Sequence, residues 1–445
     1  MVKKLNSDLT ATIQTRYGLT REIKIRDSIR QGGVLSVIEY ATLIDEIAKE
    51  LRENGLGITT ETGHILESLL WMDDVCLVHY DFAKLQKILN ITNHVARKYH
   101  VEFGAAKCKV VKIGKGITSQ LRLNGEILEE TESYKYLGEV FNNKANLSTH
   151  IKEIEKKVHA VTLRIMNETG DKEFKGMRME AIWQLLEATV IPIMTYGSEG
   201  WEINKKELED LQTIFNKVLK TILFLPQGTP TTVLLAETGF KTIKHIINRK
   251  RIMQAHRIKN KKGQPLIKRI TETEKSIWKN ETKKIMGVYK IEEEHLYLTK
   301  NSLKKRVDEE IEILTKKEVE EEATRKSKVK HWMENRDPES NKKRPPYMEK
   351  LARKECNAIF KVRSRMIPVK ANQKEGNANT ICRFCNIQEE TQEHVLKICK
   401  GITNKLPPEI EITDIFDNSE DQLEKLRKAA KCIIEIVEQL EKHQK

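Results

Sequence analysis

Two apolar runs of strand length, residues 65–72 and 75–80, flank the pair Asp73-Asp74. This pattern predicts a hairpin with two carboxylates at its apex. Leu85, Ile88, Leu89, Thr92, Val95 and Tyr99 then recur at helical spacing. Segments 101–113 and 121–139 read as further strands and turns, with Asn124-Gly125 a strong two-residue turn signal. Beyond His150 the pattern turns helical. Ile151, Ile154, Val158, Val161 and Ile165 make one apolar stripe, and Met179, Ile182, Trp183, Leu186 and Val190 make another. Asn204 with Glu207 predicts a capping box opening a helix whose face is Leu208, Leu211, Phe215, Val218, Leu219 and Ile222. Residues 302–335 are charged densely enough to predict one long helix serving as a solvated spacer rather than as core. The last helix is expected to open at Ser419 with Gln422 as its box partner and Leu423, Leu426, Ala430, Ile433, Val437 and Leu440 as its stripe. A polar loop at 371–379 leads into a Cys-rich segment, and there is no internal repeat.

Composition narrows the class. At 445 residues the chain has room for about three domains. Charged residues reach 32 % and mean hydropathy is −0.54, so a core is possible beneath a large solvated surface. Only 10 Pro and 21 Gly argue against low complexity and against a turn-rich all-β protein. The net charge of +14 points to a polyanionic partner. That charge is concentrated: residues 241–290 hold 16 Lys and Arg against 3 Glu, and residues 341–370 hold 10 basic against 2 acidic. Solvated helix faces would account for either block alone. Phosphate neutralisation is the simplest common use for both. No secretory or membrane segment is visible, and the most apolar long stretch, 181–196, is broken by Glu187 and Pro192. Seven unevenly spaced cysteines suit a reducing compartment, so a nuclear and cytoplasmic location is expected.

Two clusters carry candidate chemistry. An Asp-Asp pair between strands is ordinarily turn chemistry. Its functional alternative is Mg²⁺ binding, since hard cations take carboxylate oxygens together with substrate phosphates. Cys382 and Cys385 are followed by His394 and Cys399. Two thiolates from a tight turn, with a His and a Cys from the next element, would complete a tetrahedral structural Zn²⁺ site with no open position. The alternative is four unrelated residues. The segment holds few apolar side chains, so chelation is expected to unfold residues around 380–400 and leave residues 1–240 intact.

The order of several motifs adds a resemblance. Arg30-Gln31-Gly32-Gly33-Val34-Leu35-Ser36 precedes the Asp73-Asp74 hairpin, then come Phe103-Gly104-Ala105-Ala106-Lys107 and Tyr134-Lys135-Tyr136-Leu137-Gly138. Tyr196-Gly197-Ser198-Glu199-Gly200-Trp201 and the stretch from Leu225-Pro226 to Glu237-Thr238-Gly239 follow. This series resembles the reverse transcriptases of non-LTR retrotransposons. The resemblance implies an α+β fold: a partial palm with a small antiparallel sheet and helices, then a mostly α-helical thumb and C-terminal region with a zinc knuckle. It divides the chain into palm 1–145, thumb 146–240, basic helical linker 241–370, CCHC knuckle 371–402 and C-terminal helix 403–445. It implies RNA-directed DNA polymerase activity, with Asp73 and Asp74 ligating catalytic Mg²⁺ and Lys107 near the leaving pyrophosphate. Gln31 and Gly32 would lie against template and dNTP, and Tyr136, Leu137 and Gly138 would grip the primer end. For Tyr136 and Leu137 plain core packing stays an equal alternative. The partners implied are an RNA template and a DNA primer or target, with oligomeric state undetermined. The Glu390-Thr391-Gln392-Glu393-His394 context resembles the C-terminal knuckle of such elements.

Departures accompany the likeness. Trp71-Met72 stands where aromatic-Ala is commoner, Gly33-Val34 where Cys-Pro is usual, Val37 where Pro is usual and Gly104 where Asn is frequent. The family's third palm aspartate has no counterpart: Asp8 and Asp27 lie in no matching motif. The chain is therefore expected to be an N-terminally truncated reverse transcriptase, inactive alone. A non-catalytic nucleic-acid-binding protein derived from a retroelement is the alternative, and a decaying gene product a third.

Overall fold

The computed structural model describes residues 10–25, 35–60, 63–114, 120–168, 178–261, 265–273, 275–336, 344–372 and 380–443. The chain divides into two compact units, residues 1–150 with 264–279, and residues 151–263 with 280–445.

In the first unit, helices α1 (Ser36–Glu53) and α2 (Phe82–Lys98) pack together. The predicted 3.6-residue pattern of α2 holds, with Ile88, Thr92 and Val95 buried. Its start is fixed by Asp81, whose carboxylate accepts the N–H groups of Ala83 and Lys84. Ile44, Ile47, Leu51, Leu56, Ile88 and Val95 form one core cluster, against which Leu70 and Leu77 pack. Instead of one sheet, the described residues form seven two-stranded pairs. Short pairs occur at Thr10–Ala11 with Ile23–Lys24, Gln14–Thr15 with Gly18–Leu19, and Ile58–Thr59 with Ile65–Leu66. The remaining strands are β1 (Leu69–Trp71), β2 (Asp74–Cys76), β3 (Lys109–Val110), β4 (Arg122–Leu123), β5 (Glu126–Ile127), β6 (Glu129–Glu130), β7 (Ser133–Tyr136) and β8 (Glu139–Asn142). β1–β2, β4–β5 and β7–β8 are antiparallel hairpins, while β3 and β6 pair in parallel. Asn124 and Gly125 join β4 to β5 with φ of 54° and 85°, as a type I′ turn requires.

The second unit is helical. Among the described residues its helices, of which α3 and α9 each begin three residues inside the first unit's span, are α3 (Ser148–Glu168), α4 (Met179–Leu185), α5 (Ile191–Thr195), α6 (Lys205–Ile222), α7 (Thr231–Thr238), α8 (Ile243–Asn260), α9 (Ile277–Val288), α10 (Lys300–Ala323), α11 (Ser327–Asn335), α12 (Pro346–Lys350), α13 (Arg353–Arg363) and α14 (Leu423–Lys442). A π-helical turn at Leu186–Val190 joins α4 to α5, and the whole predicted stripe from Met179 to Val190 is buried. α6 opens with the predicted Asn204–Glu207 box and buries Leu211, Phe215, Val218, Leu219 and Ile222. Two expectations change. Residues 302–335 form two helices, broken at Thr324–Lys326, and are no solvated spacer: Leu303, Val307, Ile311, Val319 and Trp332 are buried. One apolar residue per turn suffices for a buried stripe even where all other positions are charged. At the last helix, the Ser419 hydroxyl turns back to the Asp417 carboxylate and makes no cap, so a 3₁₀ turn at Glu420–Gln422 precedes α14. The predicted α14 stripe is buried from Leu426 to Leu440.

Candidate catalytic hairpin and metal centre

The β1–β2 register pairs Leu69 with Cys76, Leu70 with Val75 and Trp71 with Asp74, leaving Met72 and Asp73 as the two-residue turn. Alternation along β1 sends Leu70 into the core and leaves Trp71 62 % exposed. The two carboxylates thus stand exposed at the tip of a ladder whose root is anchored in the core. Met72 holds a φ of 54°, a left-handed conformation uncommon for a non-glycine residue. The Tyr40 hydroxyl is raised above its ordinary pKa by partial burial and by the charge of Asp73.

Strand β7 ties the start of β1, at the root of this hairpin, to the lysine turn. The Tyr136 hydroxyl donates to the Leu69 carbonyl at 3.2 Å, and the Tyr134 hydroxyl donates to the Lys107 carbonyl at 3.3 Å. Residues two apart on a strand share a face, so one face of β7 holds both the carboxylate hairpin and the 3₁₀ turn Ala105–Lys107. Burial raises the Tyr136 pKa, and Cys76 and Asp74 push it the same way. Leu137 and Gly138 form the β7–β8 turn with φ of 48° and 89°. Glycine tolerates that geometry, but a leucine there is strained by about 1–2 kcal/mol. Thus Asp73, Asp74, Lys107, Tyr136, Leu137 and Gly138 belong to one connected set of turns. Gln31 and Gly32 lie outside the described residues, as do Asp8 and Asp27.

In the second unit, one ligand atom from each of Cys382, Cys385, His394 and Cys399 lies within 4.8 Å of all the others. The Sγ atoms of Cys382 and Cys399 are 3.6 Å apart, and Cys385 Sγ is 3.3 Å from His394 Nε2. Asn386, at φ 54°, closes the tight turn by donating its N–H to the Cys382 carbonyl. A π-helical turn at His394–Ile398 brings Cys399 back, and the Cys399 N–H donates to the His394 carbonyl. His394 Nδ1 sits 3.0 Å from Gln388 Oε1, an outer partner that orients the ring and leaves Nε2 for a metal. Backbone N–H groups of Gln388 and Ile387 hold the Cys385 thiol down to about 6, whereas burial pushes Cys399 up to about 11. Three thiols and an imidazole make a closed donor set for a borderline-soft divalent ion.

Sequence reasoning missed what holds this segment in place. Glu390 is buried and takes both the guanidinium and the backbone N–H of Arg383, with the Lys370 N–H added. Burial would raise the Glu390 carboxyl, but these donors hold it below the usual carboxylate range. Arg383 also donates to the Leu440 carbonyl at 3.1 Å, and the Phe384 ring lies 4.7 Å from that of His443. The four-ligand segment is therefore built onto α14. An Arg and a Glu seven apart in a Cys-rich stretch were the available signal.

The basic block 241–290 is not all surface. Arg251 is buried, donating to the Thr282 hydroxyl and the Trp201 carbonyl, and Arg249 forms a two-pronged pair with Asp308 at 2.6 and 3.0 Å. Among the described residues no helix is long and apolar enough to cross a membrane.

Residues 3–141, which include the hairpin, the lysine turn and β7, match the reverse transcriptase (RNA-dependent DNA polymerase) family. The chain is similar to a retrovirus-related Pol polyprotein from the type-1 retrotransposable element R2 of Popillia japonica, 23 % identical over 242 residues. That alignment covers 52 % of this chain and 32 % of the polyprotein. It is also similar to a transposon-derived protein of Caenorhabditis elegans, 26 % identical over 147 residues, covering 32 % of this chain and 51 % of that protein. The chain thus spans about a third and about half of the lengths of these two relatives. It resembles a non-LTR retrotransposon reverse transcriptase.

Proposed function

We propose that this chain contributes the palm hairpin, a helical thumb and a zinc-stabilised C-terminal region to an RNA-directed DNA polymerase of a non-LTR retrotransposon. The observation that carries the reading is the face of β7, where Tyr136 and Tyr134 bond to the backbone of the Asp73-Asp74 hairpin and of the Lys107 turn. Three motifs scattered over some sixty residues come together there, which supports the reading. Asp73 and Asp74 ligate Mg²⁺, the ion that neutralises charge on the incoming dNTP. Lys107 pairs with the departing pyrophosphate, and the Leu137–Gly138 turn holds the primer end. Gln31 and Gly32 complete the template and nucleotide contacts. Zn²⁺ occupies the Cys382, Cys385, His394 and Cys399 set in a purely structural role, because all four positions are filled by protein. None of the seven cysteines is in a disulfide, in keeping with work in the reducing nucleus and cytoplasm.

Two-metal phosphoryl transfer needs both ions clamped about 3.5–4 Å apart. Among the described residues, no third Asp, Glu, His or Cys stands within ligand distance of the hairpin pair. We infer that the 445-residue chain binds primer–template but does not extend it unaided. Primer extension on a homopolymeric RNA template with Mg²⁺ or Mn²⁺ tests this. Binding without extension is expected. Extension abolished by Asp73→Ala would overturn the inactivity and keep the polymerase reading. Extension unaffected by Asp73→Ala and Asp74→Ala would overturn the assignment of the hairpin. Binding of nucleic acid without preference for primer ends would favour the alternative, a non-catalytic nucleic-acid-binding protein.

A further inference from the structure

One surface of α8 has no place in the hairpin or the metal centre. Arg249, Lys250, Met253, Gln254, Arg257, Asn260 and Lys261 recur at helical spacing and, with Lys300, line a groove of about 590 Å³. Its ends differ. At one end the cations are committed: Arg249 to Asp308, and Lys250 to Glu199 and the Thr195 carbonyl. At the other end, Arg257, Lys261 and Lys300 make no ion pair among the described residues. Their placement is nonetheless fixed. His256 Nε2 lies 2.9 Å from the Leu298 carbonyl, and the Asn260 amide donates to the Leu296 carbonyl at 2.7 Å. These bonds clamp the start of α10 against α8. Lys300 is the first residue of that 24-residue helix, so its positive dipole end borders the groove.

We propose that this groove binds the sugar–phosphate backbone of single-stranded nucleic acid, with Arg257, Lys261 and Lys300 as the phosphate ligands. Three unpaired cations within one recess call for a polyanion. The volume falls in the range of pockets for small ligands, about 300–1,000 Å³, room for a flexible strand to enter locally. Met253 offers an apolar surface, and the amide of Gln254 offers hydrogen bonds to sugar or base. The inference rests on the nucleic-acid-binding reading above and adds to it the strandedness of the ligand and three named residues.

The experiment is fluorescence anisotropy of the full chain with a labelled oligouridylate strand, and with an RNA–DNA duplex of equal length, over a salt series. In the triple variant Arg257→Gln, Lys261→Gln, Lys300→Gln, single-strand affinity should fall on the order of tenfold at moderate salt, and the log–log salt slope should flatten by about 2. Duplex affinity should stay within about twofold. A control triple variant at exposed sites elsewhere, Lys206→Gln, Lys316→Gln, Arg325→Gln, removes the same charge and should change neither. An unchanged single-strand slope in the first variant would overturn the groove assignment while leaving general nucleic-acid binding intact. Equal losses for strand and duplex, or for both triple variants, would overturn it too, by reducing the groove to net charge. Absence of binding by the unaltered chain would defeat the underlying reading itself. Unchanged circular dichroism and melting temperature of the variants establish that any loss is local.

Discussion

Glu237 and Arg363, 126 positions apart, form an ion pair sealed from solvent, with 3.2 Å between Nη1 and Oε2 and side-chain exposures of 2 % and 0 %. The Glu237 carboxylate also accepts the Trp332 indole N–H at 2.6 Å and the Tyr347 hydroxyl at 2.5 Å. Arg363 donates further to the carbonyls of Ile415 and Asp417 and to the Asn418 side chain, and lies over the Tyr347 ring. Burial and the Glu237 charge drive the Tyr347 hydroxyl pKa far upward, so it remains a donor. One carboxylate thereby joins α7, α11, α12 and α13.

Removing one side of that pair leaves a buried charge without compensation. Glu237→Gln should destabilise the second unit by about 3–5 kcal/mol. Denaturant unfolding followed by tryptophan fluorescence measures it, since Trp332 bonds directly to the carboxylate. A loss under about 1 kcal/mol would mean that the network relaxes. Adding Arg363→Met to Glu237→Gln should recover part of the loss, because the stranded cation is then gone.

The strained turn gives a prediction with two opposed signs. Leu137→Asn replaces a left-handed leucine with a residue that tolerates the conformation. The first unit should gain about 1 kcal/mol or at least lose nothing. If the turn holds the primer end, affinity for primer–template should nevertheless fall several-fold. Loss of stability, or unchanged affinity with gained stability, would leave the leucine without a functional reason.

Metal analysis should find one zinc per chain, and none in Cys385→Ser. The sequence alone leads to the expectation that chelation unfolds residues around 380–400 and spares residues 1–240. The packing of Arg383 on the Leu440 carbonyl, of Phe384 on His443, and of Asn404 on Glu435 enlarges that region. Hydrogen exchange after chelation should therefore show lost protection at the C-terminal turns of α14 as well. Retained protection across residues 432–442 would confine the metal's effect to the knuckle. Acid should act in the same direction. The Glu390 pKa is depressed in the folded chain, so its clamp on Arg383 is present above the unfolded carboxylate range and is lost as pH falls through the folded value.

The elements that were legible in sequence are those fixed by neighbours. Asn204 and Glu207 cap α6, Asn124-Gly125 makes its turn, and a hairpin forms at Asp73-Asp74, although its turn is shifted one residue back to Met72-Asp73 and Asp74 begins β2, because each signal acts within four residues. The four candidate metal ligands span only eighteen residues, and their spacing alone marks them as a group. What stayed hidden was long-range. Nothing near Glu237 announces Arg363, and the dense charge of α10 masked a stripe of one apolar residue per turn that is buried. The cap at Asp81 carried a local signal that the apolar pattern overshadowed. Ser419 failed as a cap because Asp417, two residues earlier, offered its hydroxyl a carboxylate acceptor.

The central claim is that the Asp73-Asp74 hairpin and the Leu137–Gly138 turn stand at the primer terminus. Photo-crosslinking from a DNA primer with a reactive 3′-terminal base, annealed to an RNA template and bound to the full chain, measures this without requiring catalysis. The account predicts adducts in the peptides holding residues 69–76 and 134–138, lost when the reactive base is moved to the primer 5′ end. Adducts confined to residues 151–263 and 280–445, or equal yields from both primer ends, would contradict it.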